Sequence, residues 1–187
     1  MIHFVRHGET APNREGLLLG RSDPPLTDRG REQADELAQL LADLEPVAVL
    51  TSPLGRARAT AAPIAAAAGR AVEVDDRLVE IDYGEWDGRP LAELTADLVS
   101  RWRADADFAP PGGESLRMVG DRVAGFCEER LGREAVVAVS HVSPIKAAVA
   151  WALGVGDERA WRMRLEVASI TRIAPGPVLV AFNQRLP

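Results

Sequence analysis

The sequence is poor in the residues that most often declare a chemistry by themselves. Cys127 is its only cysteine, so no intrachain disulfide can form and a cysteine-built zinc site is excluded. It lies in an apolar helical pattern beside Phe126, where a small core residue is the expected role. Three histidines without metal-ligand spacing, and no glycine-rich loop ending in Lys-Ser or Lys-Thr, leave neither a metal centre nor a nucleotide-hydrolase phosphate loop in view. No run of about eighteen apolar residues appears, the length a membrane-spanning helix needs. Repeats and low-complexity linkers are also missing, and 187 residues fit one domain with a real core. The formal charge of −6 argues against a general nucleic-acid binder, although a local cationic pocket can sit within an acidic surface. Lys146 is the only Lys among many Arg, a bias read as coding preference because most of these Arg fall on expected helix faces. The first residues are strand-like and lack the basic start of a signal peptide, so the expected compartment is the cytoplasm.

What is present is an alternation of strands and helices. Ile2, Phe4 and Val5 read as a short buried strand that ends abruptly at Arg6-His7-Gly8-Glu9-Thr10, and the end of such a strand is where an open α/β sheet presents ligand-binding groups. Residues 13–25 read as a loop. Thr27 then caps a helix marked by Ala34, Leu37, Leu40, Leu41 and Leu44 and stopped by Pro46. A strand over 47–51 leads into an Ala-rich helix opened by Ser52-Pro53 and running toward Gly69, followed by a short strand at 71–74. Periodicity is lost over 77–88. Helices follow over 91–103 and 115–131, separated by Pro110-Pro111-Gly112-Gly113. The run 135–140 is a buried strand and 144–153 a helix; 166–173 and 178–182, joined by Pro175-Gly176-Pro177, form a hairpin. The pattern predicts a three-layer α/β/α sandwich with a mostly parallel central sheet and an antiparallel edge hairpin.

Four segments carry the chemistry, in this order: Arg6-His7-Gly8-Glu9-Thr10; Thr51-Ser52-Pro53-Leu54-Gly55-Arg56-Ala57-Arg58; Leu78-Val79-Glu80-Ile81-Asp82-Tyr83-Gly84-Glu85-Trp86-Asp87-Gly88; and Ser140-His141-Val142-Ser143-Pro144. Together they resemble the histidine phosphatase superfamily, the phosphoglycerate mutase-like proteins, over essentially the whole chain. The resemblance implies a single domain over 1–187 with a helical, cap-like insertion at about 89–131. His7 would be the nucleophile forming a phosphohistidine, its other ring nitrogen tied to a backbone carbonyl. Arg6 and Arg56 would clamp the phosphoryl oxygens, with Arg56 selected over Arg58 by the motif. His141 would face His7 as a charged donor, and the Val142 amide at a helix N-terminus would add another. Asn13 matches a phosphate-contacting Asn, with loop capping as its simpler role. Glu80 would protonate the leaving oxygen and then activate water; Asp82 and Glu85 are rivals at the wrong positions.

The expected activity is hydrolysis of a small phosphorylated metabolite, in the manner of the α-ribazole phosphatases or broad acid phosphatases, with no cofactor and no metal. The apolar part of the substrate would meet Leu17–Leu19 and Trp86, for which a core role is the simpler alternative. Leu19 and Leu91 occupy positions where mutases carry a hydroxyl and a Lys, and the segment between the Glu and second His motifs is short. Both features weaken the alternative of a 2,3-bisphosphoglycerate-dependent mutase. An alternative from another class is a phosphate-recognising protein without turnover, whose mark would be loss of one of the core residues. No nucleic-acid or membrane partner is expected, and self-association into a homo-oligomer is left open. His3 has no motif counterpart and reads as a strand residue.

Overall fold

The computed structural model describes residues 1–185. Its strands are β1 Ile2–Arg6, β2 Ala48–Thr51, β3 Val72–Val74, β4 Val136–Ser140, β5 Ile170–Ala174 and β6 Val178–Gln184, and its helices α1 Ala11–Glu15, α2 Asp28–Leu41, α3 Gly55–Ala67, α4 Ala96–Ala104, α5 Leu116–Arg130 and α6 Val142–Leu153. All six strands join one sheet in the order β3-β2-β4-β1-β5-β6. The pairs β2–β3, β2–β4 and β1–β4 are parallel, whereas β5 and β6 close one edge antiparallel. The period of two along each strand sorts the core. Ile2, Phe4, Leu50, Val136 and Ala138 face one side with Val119, Val123 and Phe126 of α5 and Ile145 and Ala148 of α6. Val5, Val49, Val137 and Val139 face the other with Leu37 and Leu41 of α2 and Ala57, Ala61 and Ile64 of α3. The result is the three-layer sandwich and edge hairpin expected from the sequence.

Boundaries move for local reasons. The expected 91–103 helix is split: a single 3-10 turn covers Leu91–Glu93, then Thr95 accepts from the Leu98 amide and starts α4 afresh. The loop expected at 13–25 begins inside a short helix, α1, closed by Gly16 in the left-handed conformation at φ 72°. Within the 89–131 segment, α5 is part of the core layer against α6, while α4 brings Trp102 to an aromatic cluster with Trp86 and Leu94. Cys127 is buried in that layer, as expected, and burial pushes its thiol up to about 12.

Candidate active site

The parallel register builds the site. Arg6 of β1 lies opposite Ser140 of β4, so the next residues, His7 and His141, leave the sheet at the same level. Their ring centroids are 5.0 Å apart, and the His7 amide donates to the Ser140 carbonyl at 3.1 Å. On the other flank of β4, Thr51 of β2 pairs with Val139. That brings Ser52 Oγ to 2.7 Å from His141 Nε2.

His7 is 2% exposed. Its Nδ1–H donates to the Gly8 carbonyl at 2.7 Å, which fixes the tautomer and leaves Nε2 with the lone pair. Burial, with the charges of Arg6 and Arg56 beside it, holds the imidazole well below its ordinary pKa, so the ring is neutral at neutral pH. The turn itself is fixed by the Gly8 amide donating to Thr60 Oγ1 at 3.0 Å. Two glycines make this turn and the start of α2 touch. A Cβ on Gly8 would strike the Gly30 carbonyl, and one on Gly30 the Glu9 carbonyl.

Each guanidinium is anchored by backbone carbonyls. Arg6 Nη1 donates to Leu165 O at 2.6 Å, and its backbone N–H to Ser169 O at 3.0 Å. This is why β5 starts at Ile170 rather than at Glu166 as expected: residues 166–169 turn across the end of β1, with Ala168 at φ 51°. Arg56 is 1% exposed; it donates to Ser22 O at 2.6 Å and Gly20 O at 2.8 Å. Arg58 is exposed. Asp87 grips the same loop from the other side, accepting from the Gly20 amide at 2.8 Å and the Ser22 amide at 2.7 Å. Burial alone would raise the Asp87 pKa, but these amide bonds and Arg56 outweigh it and hold the carboxyl below its usual range. The expected Ser52-Pro53 start of α3 is displaced to Gly55, because Asp23 accepts from the Gly55 and Arg56 amides and caps the helix there.

Glu80 takes the helix N-terminus that the sequence reading gave to substrate. Its Oε2 accepts from the Val142 amide at 3.0 Å, and its Oε1 from Ser143 at 3.1 Å and Ile81 at 2.8 Å. The helix begins at Val142, two residues before the expected Pro144, with His141 at its N-cap. Pro144 fits in the first turn because no intrahelical bond is lost there. The Glu80 segment is tied to β4 by Ser140 Oγ donating to Leu78 O at 2.6 Å. Of the rival acids, Asp82 accepts from the Gly84 amide at 2.8 Å in its own turn, and Glu85 is exposed.

His141 also departs from the expected charge. Burial first, then His7, Arg56 and Arg6, hold its pKa well below normal, so the ring is neutral at neutral pH. Asn13 Oδ1 is committed to capping α1, accepting from the Thr10 amide at 3.2 Å and Thr10 Oγ1 at 2.9 Å. His3 is a buried strand residue opposite Arg172. Trp86 and Leu19 are buried, Trp86 stacking on Phe108 with ring centroids 5.9 Å apart, and Leu17 bridges to Pro90. Only Leu18 of that expected apolar set lines the small cavity beside Val142 and Ser143. Ser52, Thr60, Tyr83, Asp87 and Lys146 went unread as site residues; Ser52, Tyr83 and Asp87 stood inside quoted motifs, and that was their only signal. A wide open cleft of about 910 Å³ between Glu15 and Arg103 includes none of the motif residues.

Three buried nitrogens find no partner around this His pair: Arg6 Nε, Arg56 Nε and His141 Nδ1. Buried polar nitrogens without partners are uncommon, and three on the residues that flank His7 suit a place for an anion.

Similar proteins carry the same fold. A phosphoserine phosphatase of Hydrogenobacter thermophilus is 38% identical over 177 residues, covering 91% of this chain and 84% of that one. The structure of a mycobacterial glucosyl-3-phosphoglycerate phosphatase complexed with VO3 superposes with a TM-score of 0.88 at 30% identity, covering 98% of each chain. That of an Escherichia coli protein described as a putative α-ribazole-5'-P phosphatase gives 0.79 at 31% identity, over 91% and 87% of the chains. Three mycobacterial relatives, each 37% identical over 181 residues, are longer, and this chain spans 48% of their length. The family model for branch 1 of the histidine phosphatase superfamily matches residues 2–182, and with the His pair and the two anchored guanidiniums on one sheet edge, the chain belongs to that superfamily.

Proposed function

We propose that the protein is a phosphomonoesterase working through a phosphohistidine on His7. The observation that carries this reading is the set of three unpartnered buried nitrogens, Arg6 Nε, Arg56 Nε and His141 Nδ1, beside an imidazole whose Nε2 is unprotonated. A phosphoryl dianion in that space accepts from all three, and their charge stabilises the equatorial oxygens as the transition state spreads.

The His7 Nε2 lone pair attacks phosphorus, the P–O bond to the alcohol breaks, and Glu80 gives the departing oxygen a proton. Water then gives its proton to Glu80 while its oxygen attacks phosphorus. The P–N bond breaks, which returns neutral His7 and releases inorganic phosphate. Arg6 stays charged throughout: burial lowers it, but only to about 10. With the dianion bound, the charges that depress His141 are offset and the ring takes its second proton, Nε2–H donating to Ser52 Oγ and Nδ1–H to phosphate. Guanidinium and imidazole charge do the work that a metal does in other phosphatases, so added metal is not required.

The phosphatases among the relatives support hydrolysis, and the relatives named as probable phosphoglycerate mutases, 35% identical over 180 residues, keep primer-dependent transfer as the alternative. The test is a phosphate-release screen without metal or bisphosphate primer, using p-nitrophenyl phosphate, 3-phosphoglycerate, fructose bisphosphate and α-ribazole phosphate. Release with strong preference for one substrate is expected. Interconversion of phosphoglycerates only after priming would make the protein a mutase, and inactivity with retained phosphate binding would make it a recognition module.

A further inference from the structure

A second set of unpaired donors lies beside the catalytic groups. Lys146 sits one turn along α6 from Val142, on the same face. Both line a cavity of about 110 Å³ whose other walls include Leu18, Tyr83, Trp102 and Trp161. No carboxylate lines it. The indole N–H groups of Trp102 and Trp161 are buried without an acceptor, and Trp102 is only 1% exposed. Among the described residues the Lys146 ammonium has no hydrogen bond or ion pair, whereas other cations of this region are used: Arg21 and Arg122 pair with Glu114, and Arg103 lies over the Trp161 ring. An unpaired ammonium in a lining without a carboxylate, on a cavity walled by two tryptophans whose indole N–H groups lack acceptors, suits an acceptor that arrives with the ligand.

We propose that this cavity holds a carboxylate on the alcohol portion of the phosphomonoester, and that Lys146 is the residue selecting for it. The proposal rests on the phosphatase reading above and names its substrate class. Size agrees: ~150 Å³ is needed for a benzene ring, so a carboxylate on one or two carbons fits where an aromatic base does not. Charge agrees as well. Burial lowers Lys146 to about 8, with Glu80 opposing and Arg6 adding to the shift, so a second negative group would restore the balance that burial takes away.

The test compares substrates that differ only in the carboxylate. The wild-type protein should favour O-phosphoserine over O-phosphoethanolamine by about 10- to 100-fold in kcat/KM, the range of one charge-assisted contact. Lys146→Met should erase that preference, falling at least about tenfold further on O-phosphoserine than on p-nitrophenyl phosphate, and Lys146→Arg should restore part of it. Equal wild-type rates on the matched pair, or equal losses on all substrates in Lys146→Met, would overturn the proposal. If no phosphoester is turned over, it is the catalytic reading that has failed. Calorimetric titration of the matched pair then decides the cavity: Lys146-dependent preference for phosphoserine sustains it, and equal binding removes it.

Discussion

The His7 edge of the sheet and the aromatic cavity beside it are built on opposite plans. At the edge, the working side chains follow directly from strand ends and are pinned by backbone: His7 to Gly8 O, Arg6 to Leu165 O, Arg56 to Gly20 and Ser22 O. In the cavity, side chains from separate segments hold one another by aromatic edges, Trp102 meeting Trp161 at 4.4 Å and Trp86 at 5.3 Å between ring centroids. Backbone anchoring fixes a position whatever the neighbouring side chains are, whereas mutual aromatic packing is set by each residue's partners. The first plan suits a reaction that tolerates little displacement. The second suits a pocket whose shape can be altered one residue at a time.

The comparison breaks most easily at His7. His7→Ala should lower phosphate release by about 10⁴-fold or more, with the fold retained by circular dichroism. Next is Glu80→Gln, which should slow alkyl phosphates by about 10³-fold and p-nitrophenyl phosphate far less, because a good leaving group does not need the proton. Equal losses on both would make Glu80 a cap for α6 and nothing more. On the cavity side the largest effect should be on stability. Trp102→Ala should cost about 3–5 kcal/mol in chemical denaturation, as for other large buried aromatics, with the rate on p-nitrophenyl phosphate falling much less than for His7→Ala.

The smallest effect is a titration that touches neither region's chemistry. Burial, Arg172 and the N-terminal charge lower His3 to about 4 from 6.5. Below pH 6.5 the unfolded chain then binds a proton that the native His3 does not, so stability is full above that pH and declines as pH falls toward 4. His7 and His141, also depressed, add slope of the same sign. His3→Gln should flatten the fall in urea midpoint between pH 6.5 and 4.5. An unchanged slope would mean that His3 is already protonated in the native strand.

These two plans also explain what could be read before the structure. Residues at strand ends are contiguous with a hydrophobic run, so Arg6, His7 and His141 could be placed from local pattern, and the parallel register then brought them together. The layers were equally legible, because Ile2/Phe4 and Val136/Ala138 alternate with Val5 and Val137/Val139. The Glu80 carboxylate on the Val142 and Ser143 amides was not legible: helix α6 attracts whichever anion lies nearest, and only the fold decides that. Asn13 capping α1 and Trp86 in the core are the simpler roles that the sequence already offered for them. The Lys146 cavity left no sequence signal at all, since Leu18, Tyr83, Trp102, Lys146 and Trp161 meet only in three dimensions.

The central claim is covalent chemistry at one nitrogen, and the most direct measurement is acid-free quenching of the enzyme during turnover of p-nitrophenyl phosphate, followed by intact-mass analysis and phosphorus NMR. The account predicts one acid-labile phosphoryl group, bonded to Nε2 of His7 and absent from His7→Ala. A phosphoryl group on another residue, or turnover that persists in His7→Ala, would contradict it.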